Sequence, residues 1–370
     1  MSTGDSLMNA ATFHRLPISR IEPETDHAVR ITFDVPDPLR EQFRFKQGQY
    51  LTLECDIDGA PVRRSYSICS GVKDPELQVA IKRVDNGVFS NFANDSLRAG
   101  DAVRALPPEG SFYTDLDPSR AGRYLFIAAG SGITPVISNI RSVLGAEPAS
   151  HVALLFGNQR TSTIMFRDDL SFLKNRYMSR FMWVNILSRE DQGSELLNGR
   201  LDNRKGAELG RRLLDLTAYD EYFICGPESM ISEVSRGLRG VGVSEDRIHY
   251  ELFASSAEDA ERILRKHQER ATHYGDNLSS VMLIADGRSS SFELSTHGEN
   301  ILDAGLNQGL DLPYSCKAGV CSTCKAKLLE GEVDMDITHG LQEGEIDRGL
   351  ILTCQAHPVT ARVVLDFDQK

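Results

Sequence analysis

A single tryptophan stands in 370 residues, aromatics reach only 7%, and no apolar run is long enough to span a bilayer. The longest, around Tyr124–Ile137, is interrupted by Gly130, Ser131 and Gly132, whereas a membrane helix needs about 20 apolar residues in a row. Positive charge is short too: 41 Lys and Arg against 53 Asp and Glu give a formal net charge of -12. That balance argues against nucleic acid or an anionic membrane as the main partner. The N-terminal MSTGDSLMNAATFHRL lacks the basic and apolar regions of a secretory leader. Seven cysteines form no disulfide framework, so a reducing, cytoplasmic setting and no membrane insertion are expected. The length suits two or three domains, and no internal repeat is evident.

What is present starts with those cysteines. Tyr314–Cys324 reads YSCKAGVCSTC, which sets Cys316, Cys321 and Cys324 in a C-x4-C-x2-C pattern, with Cys354 following in LILTCQ. That is the plant-type spacing for a [2Fe–2S] cluster held by four thiolates. Three ligands on one tight loop let the backbone wrap the cluster and aim its amides at the sulfurs, and Ala318, Gly319 and Ser322 are small enough for that approach. A structural zinc site is the alternative, but zinc usually takes two C-x2-C pairs or a Cys/His mix.

The rest of the chain changes rhythm twice. From Phe13 to about Tyr113, short alternating runs such as AVRITFDV, QYLTLECDI, RRSYSICS and LQVAIKRV are separated by Pro, Gly and Asp. They predict an antiparallel barrel or sandwich. In Arg64-Ser65-Tyr66-Ser67, an arginine, an aromatic and a hydroxyl are expected on one strand face, offering a phosphate partner, a ring and a hydrogen bond. An ordinary exposed strand fits the same residues. Gly87-Val88-Phe89-Ser90 leads into a short helix whose amides could bind phosphate.

From Arg123 onward apolar strands alternate with helices, which predicts a parallel sheet covered on both faces. Gly130-Ser131-Gly132-Ile133-Thr134-Pro135 follows the first such strand, and Cys225-Gly226-Pro227 follows a later one, both before helices. Glycines there permit close approach to a dinucleotide pyrophosphate; a plain tight turn and a small buried thiol are the bland alternatives. Ser188 and Arg189 at a strand end, with Arg160, suit a 2′-phosphate, although Glu190 would oppose it. Residues 255–277 read as a charged tether between two folded units, with room for a helical turn. Residues 278–370 read as a compact α+β unit, and Glu330–Asp347 carries seven acidic residues, by default a solvated face, that could also dock a basic partner.

Taken in order, RRSYSICS, VAIKRV, FSNFAN, GSGITP, LSRE, FICGP, YSCKAGVCSTCKAKLLEGEVDMD and CQAHPVT resemble the ferredoxin-NADP reductase superfamily, and within it the reductase components of multicomponent oxygenases. The resemblance implies a flavin barrel over residues 1–117, a nicotinamide α/β domain over 118–254, and a ferredoxin-like cluster domain over 278–370. It implies FAD held by Arg64, Ser65, Tyr66, Ser67, Ala80, Ile81, Lys82, Gly87, Phe89 and Ser90, with Arg64 and Ser90 on the pyrophosphate, Tyr66 against the ring and Ser67 near flavin N5. It implies a nicotinamide dinucleotide, NADPH before NADH, on Gly130, Ser131, Gly132, Thr134, Arg160, Ser188, Arg189, Gly226 and Pro227. Ser67, Cys225, Glu251 and Phe253 are the expected catalytic residues, with Cys225 beside the nicotinamide; Phe253 could equally end a packed strand. The electrons would go to an oxygenase component containing two irons. A flavin accepts a pair and releases single electrons, which explains why the three units share a chain and why no Ser/His/Asp set is needed. A different acceptor (a steroid hydroxylase, a desaturase or a hybrid-cluster protein), a redox sensor, and a zinc-containing interaction module fused to a flavoprotein remain as alternatives.

Overall fold

The computed structural model describes residues 12–253, 257–274, 277–342 and 344–369. The leader reading therefore falls almost wholly outside the described residues. Two compact units emerge, one over His14–Glu251 and one over the described residues from Leu252 onward. Among the described residues no helix is long and apolar enough to cross a membrane.

The first unit opens with six strands: β1 (His14–Thr25), β2 (Ala28–Phe33), β3 (Tyr50–Ile57), β4 (Ala60–Ser67), β5 (Leu77–Lys82) and β6 (Ala102–Ala105). Every pairing is antiparallel, in the order β4-β3-β6-β1-β2-β5. A bridge between Ile68 and Val79 ties the end of β4 to β5 and closes the sheet. Closure removes the exposed edges that an open sheet would leave. The β3–β4 hairpin turns at Asp58 and Gly59, both at positive φ (55° and 81°), the pairing that suits a tight two-residue turn. Leu16, Ile18, Ile31, Leu51, Leu53, Val79 and Ile81 fill the interior with Phe89 of helix α1 (Val88–Asp95).

A parallel sheet follows: β7 (Arg123–Ala129), α2 (Ile133–Ala146), β8 (His151–Asn158), α3 (Arg167–Arg176), β9 (Phe181–Leu187), α4 (Asn203–Arg212), β10 (Glu221–Cys225), α5 (Glu228–Gly240) and β11 (Ile248–Glu251). The order is β11-β10-β7-β8-β9, all parallel. The chain winds outward from β7 to β9 and then returns to the other side of β7. The switch point thus lies between β7 and β10, where such sheets bind ligands. Helix α4 has no counterpart among the expected elements. Its NRKGAELGRR buries only Lys205 and Leu209, too few apolar positions to show a period.

Helix α2 is buried nearly all round. Val136, Ile137, Ile140, Val143 and Leu144 pack with the sheet core, while its polar residues grip the barrel. Ser138 Oγ donates to Ser70 O at 2.7 Å, Ser142 Oγ accepts from Val72 N at 3.0 Å, and Asn139 Nδ2 donates to Phe112 O at 3.0 Å. Arg30 of β2 and Arg141 of α2 both pair with Asp169 of α3, a second tie between barrel and sheet.

The second unit contains α6 (Ala257–Tyr274), β12 (Leu278–Ala285), β13 (Arg288–Ser295), α7 (Ile301–Asn307), β14 (Lys325–Glu330), β15 (Val333–Met335), β16 (Leu350–Leu352), β17 (Ala356–Pro358) and β18 (Arg362–Asp366). Its mixed sheet runs β13-β12-β18-β14-β16, with β15 and β17 paired alongside. The expected tether is largely helix α6. No Gly or Pro interrupts it, and its residues are mostly good helix formers. The face it buries is charged, which is why apolar periodicity did not reveal it. Arg270, only 3% exposed, gives Nη1 to Asp334 Oδ2 at 2.6 Å and Asp336 Oδ1 at 2.7 Å. Lys266, one turn earlier, pairs with Asp334 at 2.7 Å, and His357 Nε2 meets Asp336 Oδ2 at 3.0 Å.

Three carboxylates of the acidic run, Asp334, Asp336 and Glu345, turn inward. Asp334 and Asp336 hold α6, Glu345 pairs with Lys325, and Glu330 pairs with Arg362. Glu330, Glu332 and Asp347 stay exposed, and Glu343 lies outside the described residues. The run is thus divided between a solvated face and carboxylates that hold the fold. Replacing Arg270 by Ala leaves Asp334 to Lys266 alone and Asp336 to His357 alone, a loss of about 3–5 kcal/mol for a broken buried pair. Amide hydrogen exchange in β15 and β17 should then accelerate by at least about a hundredfold; unchanged protection would mean that α6 does not brace this unit.

Candidate functional site

At the switch point the two glycine motifs meet. Gly130 sits at φ 54° as the chain leaves β7, and residues 130–132 form one 3-10 turn running into α2. A Cβ on Gly132 would stand 2.2 Å from Cys225 O, and one on Gly226 would meet Ala129 N at 3.2 Å. The glycines let the ends of β7 and β10 touch backbone to backbone. Thr134 Oγ1 donates back to Ser131 O at 3.0 Å and locks the turn. Lys82, at the end of β5, reaches the same place: its Nζ is 3.8 Å from where a Gly130 Cβ would be.

Three of the four expected catalytic residues converge beside this turn. Cys225 and Glu251 are register partners on β10 and β11, and Ser67 at the end of β4 hydrogen-bonds the Glu251 carboxyl. Burial pushes that carboxyl up to about 8, against the opposing effect of the Ser67 hydrogen bond, and Glu251 Oε2 has no hydrogen-bond partner among the described residues. Cys225 is fully buried, and burial followed by the neighbouring Glu251 raises its thiol well above the ordinary range. Such a thiol is a steric and polarisable wall rather than a nucleophile. Phe253 is exposed at 42% and belongs to the second unit.

On β4 the two-residue period divides the RSYS run, correcting the expectation of one shared face. Arg64 is exposed, and Tyr66 packs its ring 5.4 Å from Phe89. Ser65 faces the other way, 3.2 Å from Thr52 Oγ1, and Ser67 is buried. Phe89, Ala80 and Ile81 are core residues, so Phe89 backs the Tyr66 ring from inside the barrel. Ser90 is buried and closes its own turn, accepting from Val84 N at 3.1 Å and donating to Gly87 O at 3.3 Å. Gly87 caps α1 without a side chain, leaving the first amides of that helix open in the way anion sites require.

Arg160, Ser188 and Arg189 are exposed at the carboxyl ends of β8 and β9. Backbone bonds from Ser188 N to Asn158 O and Arg189 N to Gln159 O, each 2.9 Å, bring them together. Glu190 is held aside: the Thr161 hydroxyl and amide bond its carboxylate at 2.6 and 2.8 Å and lower it from its ordinary value. Asn158 is a residue the motif reading missed. Its Nδ2 is buried without a partner in the structure, and its place in FGNQR at a strand end was the available signal. Ser138, Asn139 and Ser142 were missed as well; their trace is three polar residues inside an otherwise apolar helix.

In the second unit the four cysteines gather as two pairs. Cys316 N points at Cys321 Sγ at 3.5 Å and Ala318 N at Cys316 Sγ at 3.3 Å; Cys354 and Cys324 are in hydrogen-bond contact. The Cys321 thiol and the amides of Ala318 and Val320 outweigh burial and bring Cys316 down to about 6. Lys317, Gly319 and Ser322 all have positive φ (53°, 73°, 60°). Two non-glycine residues held there store backbone strain, as sites shaped for a bound group do. A Cβ on Gly319 would stand 2.9 Å from Gln355 Cγ and Ile337 Cγ2. Among the described residues no three His, Cys, Asp or Glu side chains are set to hold one ion. Four thiols in two pairs, with amides aimed at sulfur, fit a two-iron cluster.

Comparison with known proteins follows the same division. The Oxidoreductase FAD-binding domain matches residues 16–113, the Oxidoreductase NAD-binding domain residues 126–236, and the 2Fe-2S iron-sulfur cluster binding domain residues 283–359. The chain is 42% identical to one of the subunits of 1,2-phenylacetyl-CoA epoxidase from Escherichia coli (strain K12), over 97% of this chain and 99% of that protein. It is 31% identical to the ferredoxin reductase component of 3-ketosteroid-9-alpha-monooxygenase from Rhodococcus rhodochrous, over 95% and 96%. The solved structure of phthalate dioxygenase reductase shares the fold at a TM-score of 0.56 and 24% identity, covering 96% of this chain and 98% of that one.

The buried Glu251 carboxyl makes stability depend on pH in a definite direction. Its folded value, about 8, lies above the ordinary 4.5. Its contribution is therefore intact below about pH 4.5 and is lost as pH rises through 8. With flavin removed, Glu251→Gln should match the parent at pH 4 and melt higher at pH 9. Trp183 of β9 is the sole tryptophan and reports on this sheet; equal melting at both pH values would refute a buried neutral carboxyl.

Proposed function

The chain belongs to the ferredoxin-NADP reductase-type oxidoreductases that join flavin, nicotinamide and C-terminal 2Fe–2S domains, and we propose that it is the reductase of an oxygenase acting on phenylacetyl-CoA. It is an NAD(P)H-dependent flavin and iron–sulfur oxidoreductase, the reductase component of a multicomponent oxygenase. The observation that carries the finer reading is 42% identity along 97% of the chain to a component of the phenylacetyl-CoA epoxidase. The acceptor in this reading is a di-iron oxygenase. A second reading, the same reductase serving a steroid-type monooxygenase, draws on the 31% likeness to the 3-ketosteroid enzyme's reductase.

Bound FAD supplies the conversion of a nicotinamide electron pair into the single electrons that a 2Fe–2S cluster accepts. The protein's part is to bind, order and insulate. In our reading Arg64 and the open amides of α1 hold the flavin pyrophosphate, with Ser90 fixing that turn, while Tyr66 offers its ring face and Phe89 keeps it in place. Gly130, Ser131, Gly132, Thr134, Gly226 and Pro227 form the cradle for the dinucleotide, and Lys82 adds a cation beside it. Cys225 limits how deeply the nicotinamide ring sits. Glu251, neutral at pH 7 by burial, keeps a proton on its carboxyl and presents no buried negative charge to an incoming ring. Ser67 orients that carboxyl.

Arg160, Ser188 and Arg189 favour the 2′-phosphate of NADPH, while Glu190, kept ionised by the Thr161 hydroxyl and amide, is a nearby opposing charge. Cys316, Cys321, Cys324 and Cys354 are the assigned cluster ligands.

Anaerobic titration of the purified protein with NADPH should bleach flavin and cluster absorbance together. Rapid turnover with a phenylacetyl-CoA oxygenase component, but not with a steroid monooxygenase, would support the first acceptor; the reverse would move the assignment to the second. Cys321→Ser should abolish cluster-dependent cytochrome c reduction and spare flavin-dependent ferricyanide reduction, and equal loss of both would sink the modular path. Arg189→Ala should raise KM for NADPH about tenfold or more, the effect of losing one charge-assisted contact of about 1.5–3 kcal/mol, and leave KM for NADH nearly unchanged. Parallel changes would show that the 2′-phosphate is not read there.

A further inference from the structure

Beside the cluster loop, Gln355 holds a position that no cysteine motif explains. Its side chain is buried, 4% exposed. Nε2 lies 3.2 Å from Lys317 O, 2.9 Å from Cys354 O and 3.6 Å from Cys354 Sγ. The amide's orientation follows from these contacts, since turning it over would press Oε1 against two carbonyl oxygens. As placed, Oε1 has no partner in the structure, so the side chain is arranged for what it donates. Two N–H hydrogens meet three acceptors, one of them the sulfur of a ligand cysteine. The side chain also spans the cage, from Lys317 on the loop to Cys354 on the distant segment, and its Cγ fills the space a Cβ on Gly319 would need.

Building on the cluster-ligand reading, we propose that Gln355 sets the reduction potential of the cluster by donating from Nε2 to Cys354 Sγ. It is a positioning residue and not a ligand. When one electron from the nicotinamide, relayed by the flavin, enters the cluster, no bond forms or breaks and no proton moves. Negative charge on the sulfurs increases, and a hydrogen bond to sulfur is worth more to that state than to the oxidised one. Gln355 thereby makes the cluster easier to fill. Because an amide does not titrate, this contribution is the same at every pH. Backbone donors such as Ala318 N act on Cys316 Sγ in the same sense, but Gln355 acts through a side chain that substitution can remove.

The test uses the full-length protein carrying FAD and cluster. Gln355→Leu and Gln355→Met keep the bulk and remove the donor. Iron and sulfide content report occupancy, and spectroelectrochemical titration gives the cluster midpoint, with the flavin midpoint as internal reference. At full occupancy, the reduced-to-oxidised ratio of the cluster at any applied potential should fall about tenfold, equivalent to about 59 mV for one electron. That offset should be constant across pH, with the flavin unmoved. A loaded variant with an unchanged midpoint overturns the proposal. If neither variant retains the cluster, hyperfine coupling between the reduced wild-type cluster and side-chain 15N-labelled glutamine decides, its absence being fatal. A wild-type protein with no iron or sulfide would instead sink the ligand assignment itself.

Discussion

The first unit depends on one helix being buried on two sides. α2 turns Val136, Ile140 and Val143 to the parallel sheet and Ser138, Asn139 and Ser142 to the barrel. Burial of the apolar side is the main drive. The polar side is tolerated because each group finds a barrel backbone partner, and an unmatched buried amide or hydroxyl would be costly. Since α2 begins within the turn that follows β7, gripping its body also sets where the GSG turn stands against the barrel. The meeting of Ser67 from the barrel with Cys225 and Glu251 from the sheet depends on that grip.

Desolvation then gives those residues their chemical character. A carboxyl in water is ionised at neutral pH; Glu251, enclosed beside a buried thiol, holds its proton to about 8. Cys225 becomes inert for the same reason. At Cys316 of the cluster loop the environment works in the opposite direction. The Cys321 thiol first, then the amides of Ala318 and Val320, favour the charged form of Cys316, while Cys321 and Cys324 are themselves raised. Burial without donors keeps the Cys225 thiol neutral, whereas donors at Cys316 favour its charged form.

Much of this was legible in the residues. The spacing of Cys316, Cys321, Cys324 and Cys354 carries its meaning in covalent geometry, because a short loop can present three thiols to one cluster in few ways. The strand–helix alternation after Arg123 and the alternating barrel strands also announced themselves, since burying one or both faces of a sheet leaves a period in the sequence. Helix α6 left none: its buried face is Lys266 and Arg270, which resemble solvent residues until Asp334 and Asp336 are seen opposite them. Helix α4 buries too little to mark itself. The acidic run was legible only in part, because charge composition does not say whether a carboxylate faces water, as Glu332 and Asp347 do, or a hidden arginine, as Asp336 does.

Local sequence by itself determined the three-part organisation, the positions of the glycine turns and the cysteine set, since these rest on short-range sterics and on periodicities of two and 3.6 residues. Tertiary structure decided what each turn is for. That Gly132 is needed against Cys225 O, that Ser67 reaches Glu251 from another sheet, that Glu190 is bonded by Thr161, and that Gln355 donates to Cys354 sulfur are contacts between groups brought together by folding. Their energies depend on burial and exact distance, and neither is defined until distant segments pack.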